Sequence, residues 1–314
     1  MIECDQRIDI LLASYNGELY IRQMIDSIFS QSYKNWQLYI RDDCSTDRTI
    51  SIINDLASRF PDKIVIVPNE GKRIGVIGNF QALMCASTAN LIMLADQDDI
   101  WFDNKISTTI ECVHNVNILS DLFLIHTDLS VADSNLNLIS PSLSGYQAFT
   151  PHVGHSTARL IVQNVVTGCT VLMNRKLLEL CLPIPKEAIM HDWWIALVAS
   201  TFGRIYYLDQ STMLYRQHGK NDTGAKEFNI INAVRNGFNA SEIAILKNSV
   251  AKTRQQAAAF FRIYGDSLPS SLRIIFSEYS ELERRSYFVR LITAFKYGFR
   301  KHGFLRNIGF YLFL

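Results

Sequence analysis

The chain has almost no net charge, few turn-breaking residues and no long apolar run. Lys and Arg number 31 against 30 Asp and Glu, a formal +1 at pH 7 over 314 residues. A nucleic-acid binder usually carries a basic surplus over a whole domain, so that class is excluded. Fifteen glycines and seven prolines exclude collagen-like and broadly disordered sequence. The six cysteines, at 4, 44, 85, 112, 169 and 181, form no C-x-x-C pair. That excludes an ordinary zinc knuckle and points to a reduced, cytosolic chain. The opening MIECDQRIDI has acids where a secretory leader needs basic and then apolar residues, so no signal peptide is expected. The nearest approach to a membrane span, residues 305–314, is short and interrupted by Arg306 and Asn307, and the chain is expected not to cross a bilayer.

What is present is alternation. Ile8 to Ala13 is a short apolar run stopped by Ser14-Tyr15-Asn16-Gly17, a buried strand and its turn. Residues 18–31 have apolar side chains at helical spacing, and Trp36 to Ile40 is a second strand ended by the polar cluster 41–47. A helix over Thr49 to Phe60, a strand at Ile64 to Val67, a glycine-spaced loop, a helix to about Ala89 and a strand at Leu91 to Ala95 follow. Such β-α alternation with short links predicts an α/β fold with a mostly parallel sheet flanked by helices. Ligands in these sheets sit beyond the carboxyl ends of the strands, and the clusters 14–17, 41–47 and 96–99 all fall there. Short strands are expected at 122–126, 165–173 and 204–208, and helices from about Lys226 onward. About two domains fit the length at roughly 150 residues each.

The chemistry concentrates in a few places. Asp96-Gln97-Asp98-Asp99 packs three carboxylates into four positions, and their repulsion is relieved by a divalent cation or by a solvated, helix-capping turn. At the end of a buried strand the cation is the better reading. Asp42 and Asp43 pose a similar choice, between accepting the imide N–H of a pyrimidine base and capping the next helix, a task for which Asp47 is also placed. The Tyr15 ring offers a stacking face for a base. The glycines at 71, 75 and 78 match neither G-x-G-x-x-G nor a P-loop.

The segment LLASYNGELYIRQMIDSIFSQSYKNWQLYIRDDCSTDRT, with LADQDDIW after it, resembles the family 2 inverting glycosyltransferases of GT-A fold, and within them the rhamnosyltransferase-like branch of bacterial polysaccharide synthesis. The resemblance covers about residues 7 to 222. It implies transfer of a sugar from a nucleotide-diphosphate donor to an acceptor hydroxyl with Mg²⁺ or Mn²⁺. Ala13, Ser14, Tyr15 and Asn16 match the family's first nucleotide-contacting segment, Asp42 or Asp43 its base-recognising acid, and Asp96-Gln97-Asp98 its D-x-D motif, with Asp98 the metal ligand. Met190-His191-Asp192-Trp193-Trp194 resembles the motif that supplies the catalytic base, Asp192, although His191 stands where the family usually has Glu. Asp192 is equally well placed as the N-cap of a helix over 193–200. Tyr215-Arg216-Gln217-His218, with Asn221 beyond, resembles the closing loop, which assigns Arg216 to the diphosphate and His218 to the metal. Gly168-Cys169 resembles the small-residue turn near the acceptor, Cys169 itself reading as a buried hydrophobe.

The C-terminal stretch has no acid after Glu283 but carries Lys or Arg at 290, 296, 300, 301 and 306, with Phe288, Leu291, Ile292, Phe295 and Phe299 at helical spacing. It reads as an amphipathic basic helix, either packed on the catalytic domain or drawn to anionic lipid. The expected arrangement is therefore a nucleotide-sugar-binding and catalytic domain over 1–225 and a helical region over 226–314. The resemblance implies a dTDP-L-rhamnose donor, a lipid-linked saccharide acceptor, an O-antigen or capsule product, and a cytoplasmic enzyme peripheral at the inner face of the cell membrane. A UDP-hexose donor fits the same residues. A nucleotidyltransferase would need a glycine- and basic-rich loop after the first strand, and a non-catalytic binding module would lack the D-x-D or the Asp192 position.

Overall fold

The structure, a computed structural model, describes residues 6–116, 121–219 and 240–314. The chain divides into two compact units: Met1–Leu143 with Val166–Ile184 and Gly203–Ala225, and Ser144–Val165 with Pro185–Phe202 and Lys226–Leu314. The expected boundary at 225/226, like Asn221, lies outside the described residues.

The first unit is built on a nine-stranded sheet. β1 (Ile8–Ser14), β2 (Trp36–Asp42), β3 (Ile64–Ile66) and β4 (Leu91–Asp96) pair in parallel in the order β3-β2-β1-β4. Their links are the helices α1 (Ile21–Phe29), α2 (Thr49–Arg59) and α3 (Gly75–Ala86). This is the alternation expected from sequence. Ile10, Leu11, Leu12, Leu38, Ile40 and Met93 are wholly buried, as strands covered on both faces require. On α1 the buried Ile21, Met24, Ile25 and Ile28 form the i, i+3, i+4, i+7 stripe of an amphipathic helix.

Beyond β4 come β5 (Ile100–Trp101), α4 (Lys105–Val116), β6 (Phe123–Ala132), β7 (Leu138–Ser140), β8 (Val171–Asn174), α5 (Arg175–Cys181) and β9 (Arg204–Arg216). Here the sheet departs from all-parallel, because β8 lies antiparallel between β4 and β6. The strand expected over 165–173 is shorter at its start: Gly168–Thr170 is a single 3₁₀ turn, and pairing begins at Val171. The strand expected to end at 208 instead runs to Arg216, alongside β6 in parallel. That extension carries Thr212, Tyr215 and Arg216 back to the carboxyl edge.

In the second unit, α6 (His191–Phe202), α7 (Ala240–Tyr264), α8 (Ser270–Ser280), α9 (Tyr287–Tyr297) and α10 (Phe304–Leu312) follow in chain order. Its core is aromatic: the Trp194 ring meets those of Phe260 at 5.3 Å and Tyr264 at 6.0 Å, and Phe260 stacks on Phe276 at 4.3 Å. No helix among the described residues is long and apolar enough to cross a membrane.

Candidate active site

Strand register sets the site. Ser14 pairs with Asp42 across β1 and β2, and Ala13 pairs with Asp96 across β1 and β4. The three polar clusters therefore leave the sheet at one level of its carboxyl edge. Tight turns hold them there: Asn16 and Cys44 sit at φ +49° and +66°, a conformation asparagine tolerates better than most side chains.

The clusters are tied to one another. The Ser14 hydroxyl donates to Asp42 Oδ2 at 3.0 Å, and the Ser45 hydroxyl and backbone N–H also donate to the Asp42 carboxylate. The Asn16 N–H donates to Ser45 Oγ at 2.7 Å, while Asn16 Oδ1 accepts the N–H of Thr46 at 2.9 Å. Asp43, 3% exposed, accepts the N–H groups of Ile74 and Gly75, each at 2.8 Å, and pairs with Arg41 at 3.3 Å. Its carboxylate thus anchors the start of α3. Asp47 accepts both the N–H and the hydroxyl of Thr49 at the start of α2, which holds its carboxyl below the usual range against the opposing effect of burial. One face of the Tyr15 ring is covered by the Arg73 guanidinium at 3.8 Å.

At the end of β4, Gln97 Oε1 accepts the N–H of Tyr15 and Gln97 Nε2 donates to the Tyr15 carbonyl, both at 2.9 Å. The D-x-D segment is thereby pinned to the β1 turn. Asp98 Oδ2 lies 2.7 Å from His218 Nε2, and the His218 ring stacks on Tyr20 at 4.9 Å. Arg216, expected at a diphosphate, is 2% exposed and donates to protein oxygens from each nitrogen: Nε to the Asp98 carbonyl, Nη1 to the Ser134 carbonyl and Nη2 to Gln23 Oε1. A buried guanidinium needs that degree of satisfaction, and here it fixes the backbone of the D-x-D turn.

Beneath the turn lies a buried charged layer. Asp99 is fully buried. Its Oδ1 accepts the Arg216 N–H at 3.2 Å, and its Oδ2 has no hydrogen-bond partner among the described residues. Burial, then the charges of Asp98 and Asp96, push its carboxyl well above the usual range. Lys105 is also fully buried; it donates to Thr212 Oγ1 at 3.0 Å and lies over the Trp101 ring at 4.9 Å, and burial lowers it to about 8. Donor atoms of Asp96, Asp99 and Cys169 lie within 4.8 Å of one another. Burial pushes the Cys169 thiol well up, and a protonated thiol is a poor partner for a hard cation. The half-buried pair of Asp98 and His218 offers the carboxylate and imidazole donors that suit Mg²⁺ or Mn²⁺.

In the second unit, Asp192 stands inside the first turn of α6, not at its cap: the helix already begins at His191, and the N–H of Trp194 donates to the Met190 carbonyl at 3.1 Å. The partial positive charge at a helix start favours an ionised carboxylate there. His191 is buried, which lowers it to about 3.

Sequence reading missed Tyr20, Gln23, Arg73 and Lys105. The first two lie on the α1 side, where helical spacing drew attention only to the apolar stripe. Arg73 had a signal, one of two adjacent cations (Lys72 and Arg73) between Gly71 and Gly75; Lys105 had none, since a lysine in a helix's first turn ordinarily points to water.

Residues 9–179 match the model of Glycosyl transferase family 2. The dTDP-rhamnosyl transferase RfbG of Shigella flexneri is 28% identical over 254 residues, 76% of this chain and 84% of that protein. The UDP-Glc:alpha-D-GlcNAc-diphosphoundecaprenol beta-1,3-glucosyltransferase WfgD of Escherichia coli is 26% identical over 176 residues, 56% of this chain and 63% of that protein. Among solved structures, the mannosyltransferase PcManGT of Pyrobaculum calidifontis, in complex with GDP-Man and Mn2+, is similar over 93% of this chain and 74% of its own, with a TM-score of 0.58 at 15% identity. That likeness shows the GT-A fold.

Proposed function

Because the chain belongs to glycosyl transferase family 2 and is a glycosyltransferase, we propose that it moves L-rhamnose from dTDP-L-rhamnose, with inversion, to a saccharide acceptor in bacterial surface polysaccharide synthesis. The observation that carries the reading is the convergence of Ser14, Asp42 and Asp96 at one level of the sheet, beside the 2.7 Å pair of Asp98 and His218. The rhamnosyl donor is supported by the relative from Shigella flexneri, and a lipid-linked acceptor by the diphosphoundecaprenol substrate in the name of the Escherichia coli relative. That same name favours a second reading, a UDP-hexose donor on the same residues.

In this reading residues 1–225 form the catalytic domain and 226–314 the helical region. Ala13, Ser14, Tyr15 and Asn16 line the nucleoside, with Asp42 and Asp43 toward the base and Asp96 and Gln97 toward the ribose and phosphates. Asp98 and His218 would hold Mg²⁺ or Mn²⁺, which would supply positive charge toward the departing diphosphate. Arg216 contributes by holding the Asp98 carbonyl. Asp192 accepts the proton of the acceptor hydroxyl as its oxygen attacks the anomeric carbon and the nucleoside diphosphate leaves from the opposite face. The enzyme works at the inner face of the cell membrane, touching anionic lipid through its C-terminal helices.

Calorimetric titration with dTDP, UDP, GDP and ADP, each with and without Mn²⁺, tests the donor site. Metal-dependent binding of dTDP is expected. Metal-dependent binding of UDP alone selects the hexose reading, and no binding to any of the four removes the proposed donor site.

A further inference from the structure

α7 carries a buried carboxamide in an apolar stretch. Gln256 is fully buried, and its chain neighbours Ala257, Ala259 and Phe260 are buried with it. Gln256 Oε1 accepts the N–H of Ile189 at 2.8 Å, while its Nε2 has no hydrogen-bond partner among the described residues. Thr253, one turn earlier, is satisfied: its hydroxyl donates to the Val250 carbonyl at 2.8 Å and pairs with the Tyr279 hydroxyl at 2.7 Å. A buried amide with a donor unused costs stability. What Gln256 supplies in return is a fixed point on a segment 67 residues away.

That segment leads into Asp192. Ile189 stands three residues before it. The next residue, Met190, offers the carbonyl that accepts the Trp194 N–H at 3.1 Å as α6 opens. The backbone at 189 and 190 therefore sets where α6 begins and where its first turn points. Beyond Asp192, the Trp194 ring is held by Phe260 at 5.3 Å and Tyr264 at 6.0 Å. Gln256, Phe260 and Tyr264 recur at i, i+4, i+8 and so share one face of α7. That face grips the chain on both sides of Asp192, by a hydrogen bond before it and by ring packing after it. Arg262 also pairs with Glu187 at 3.1 Å, but its side chain is 63% exposed, and such a pair holds weakly. A proton acceptor works only within hydrogen-bond reach of the group it deprotonates, and a misplacement of about 1 Å can cost roughly 100-fold in rate.

We infer that Gln256 is a positioning residue for Asp192: its Oε1 holds the Ile189 N–H, and with it the turn that presents the carboxylate. This role rests on the proposal above that Asp192 is the base, and extends the machinery of proton transfer to α7.

The test uses the full chain with Mn²⁺ and dTDP-L-rhamnose, or UDP-glucose where UDP is the nucleotide that binds. Water serves as acceptor: its oxygen attacks the anomeric carbon, the bond to the diphosphate breaks, Asp192 takes the proton, and the released nucleotide is measured. Gln256→Met keeps the length of the side chain but offers only a weak acceptor. Its release rate is expected to fall about 10–100-fold. Nucleotide affinity should hold, and so should the melting temperature, because the unpaired Nε2 disappears along with the bond. Gln256→Leu repeats the measurement with a different fit to the core, should one of the two fail to fold. Gln256→Glu should recover most of the rate, since burial favours the neutral acid, which still has an oxygen for Ile189. In an Asp192→Asn background, Gln256→Met should add less than about 2-fold, because a residue that acts through the carboxylate has nothing left to position. Full rate in Gln256→Met beside a slowed Asp192→Asn would overturn the role of Gln256 and leave the base standing. Full rate in Asp192→Asn would remove the base and the positioning role together. Losses that multiply in the double variant, or a rate and melting temperature that fall together with no recovery by Gln256→Glu, would reduce Gln256 to core packing.

Discussion

His218 and Asp98 are 120 residues apart in the chain and 2.7 Å apart in the structure. The extension of β9 brings them together, and Tyr20 holds the imidazole from the side by stacking at 4.9 Å. In the proposed reading His218 holds the cation with Asp98, and even a group that only orients a metal ligand typically sustains about 10–100-fold in metal affinity. His218→Ala is therefore expected to weaken Mn²⁺-dependent dTDP binding by about that factor while leaving metal-free binding unchanged. Calorimetry with and without Mn²⁺ measures both, and equal losses in the two would deny His218 a role at the cation.

Gly17 has no side chain because Gln97 occupies the space: a Cβ there would lie 2.2 Å from Gln97 Oε1. That oxygen is half of the reciprocal pair with the Tyr15 backbone. Gly17→Ala should cost about 1–3 kcal/mol by displacing the carboxamide. In a Gln97→Ala background the same change should cost less than about 1 kcal/mol, a coupling that urea unfolding of the four proteins reads directly. Additive costs would show that the clash is relieved elsewhere.

Arg216 joins the backbone of the D-x-D turn to Ser134 and Gln23. Lysine cannot reproduce three divergent donors, and each lost hydrogen bond to a charged group is worth about 1.5–3 kcal/mol. Arg216→Lys should therefore lower the stability of the nucleotide-free protein by about 2–4 kcal/mol. If stability holds and only dTDP affinity falls, the guanidinium serves the diphosphate instead.

Much of this could be read from the chain, and the reason is local. Asp42, Asp96 and Asp98 each end or follow a short apolar run, so the β-α alternation alone carried them to one edge. The antiparallel insertion of β8 could not be read that way, because Val171–Asn174 looks the same whichever direction its neighbours run. Helical spacing found the tail but misjudged its faces: Phe299 is buried, while Phe288 and Phe295 stand in solvent. The inward turn of Arg216 and the burial of Lys105 depend on contacts more than 100 residues away, which no local pattern records.

His191 is 5% exposed, and burial lowers it to about 3. Its folded value lies below the unfolded one, near 6.5, so the unfolded chain binds the extra proton. The neutral ring's contribution is fully present above about pH 6.5 and is lost as pH falls toward 3, on the order of 3 kcal/mol by about pH 4. His302, lowered to about 4, adds to the same slope. His191→Phe should flatten the loss of stability between about pH 6.5 and 4. Urea midpoints across that range report it, and an unchanged slope would place the acid sensitivity elsewhere.

Asp192 sits in the first turn of a helix whose next residues, Trp193 and Trp194, are anchored in the second unit: Trp193 Nε1 donates to the Leu160 carbonyl, and Trp194 packs on Phe260. The carboxylate is thus held on a rigid element, as a proton acceptor requires. Asp192→Asn keeps the oxygen that accepts the Trp193 N–H at 2.6 Å, so folding should survive and dTDP should bind as before. Turnover should fall at least about 100-fold, because the amide cannot take the acceptor's proton. The acid limb of the kcat/KM profile should disappear with it, a change that a merely structural carboxylate would not produce. Retained turnover with an unaltered profile would take Asp192 out of the mechanism and leave the base to be found among other groups near the acceptor.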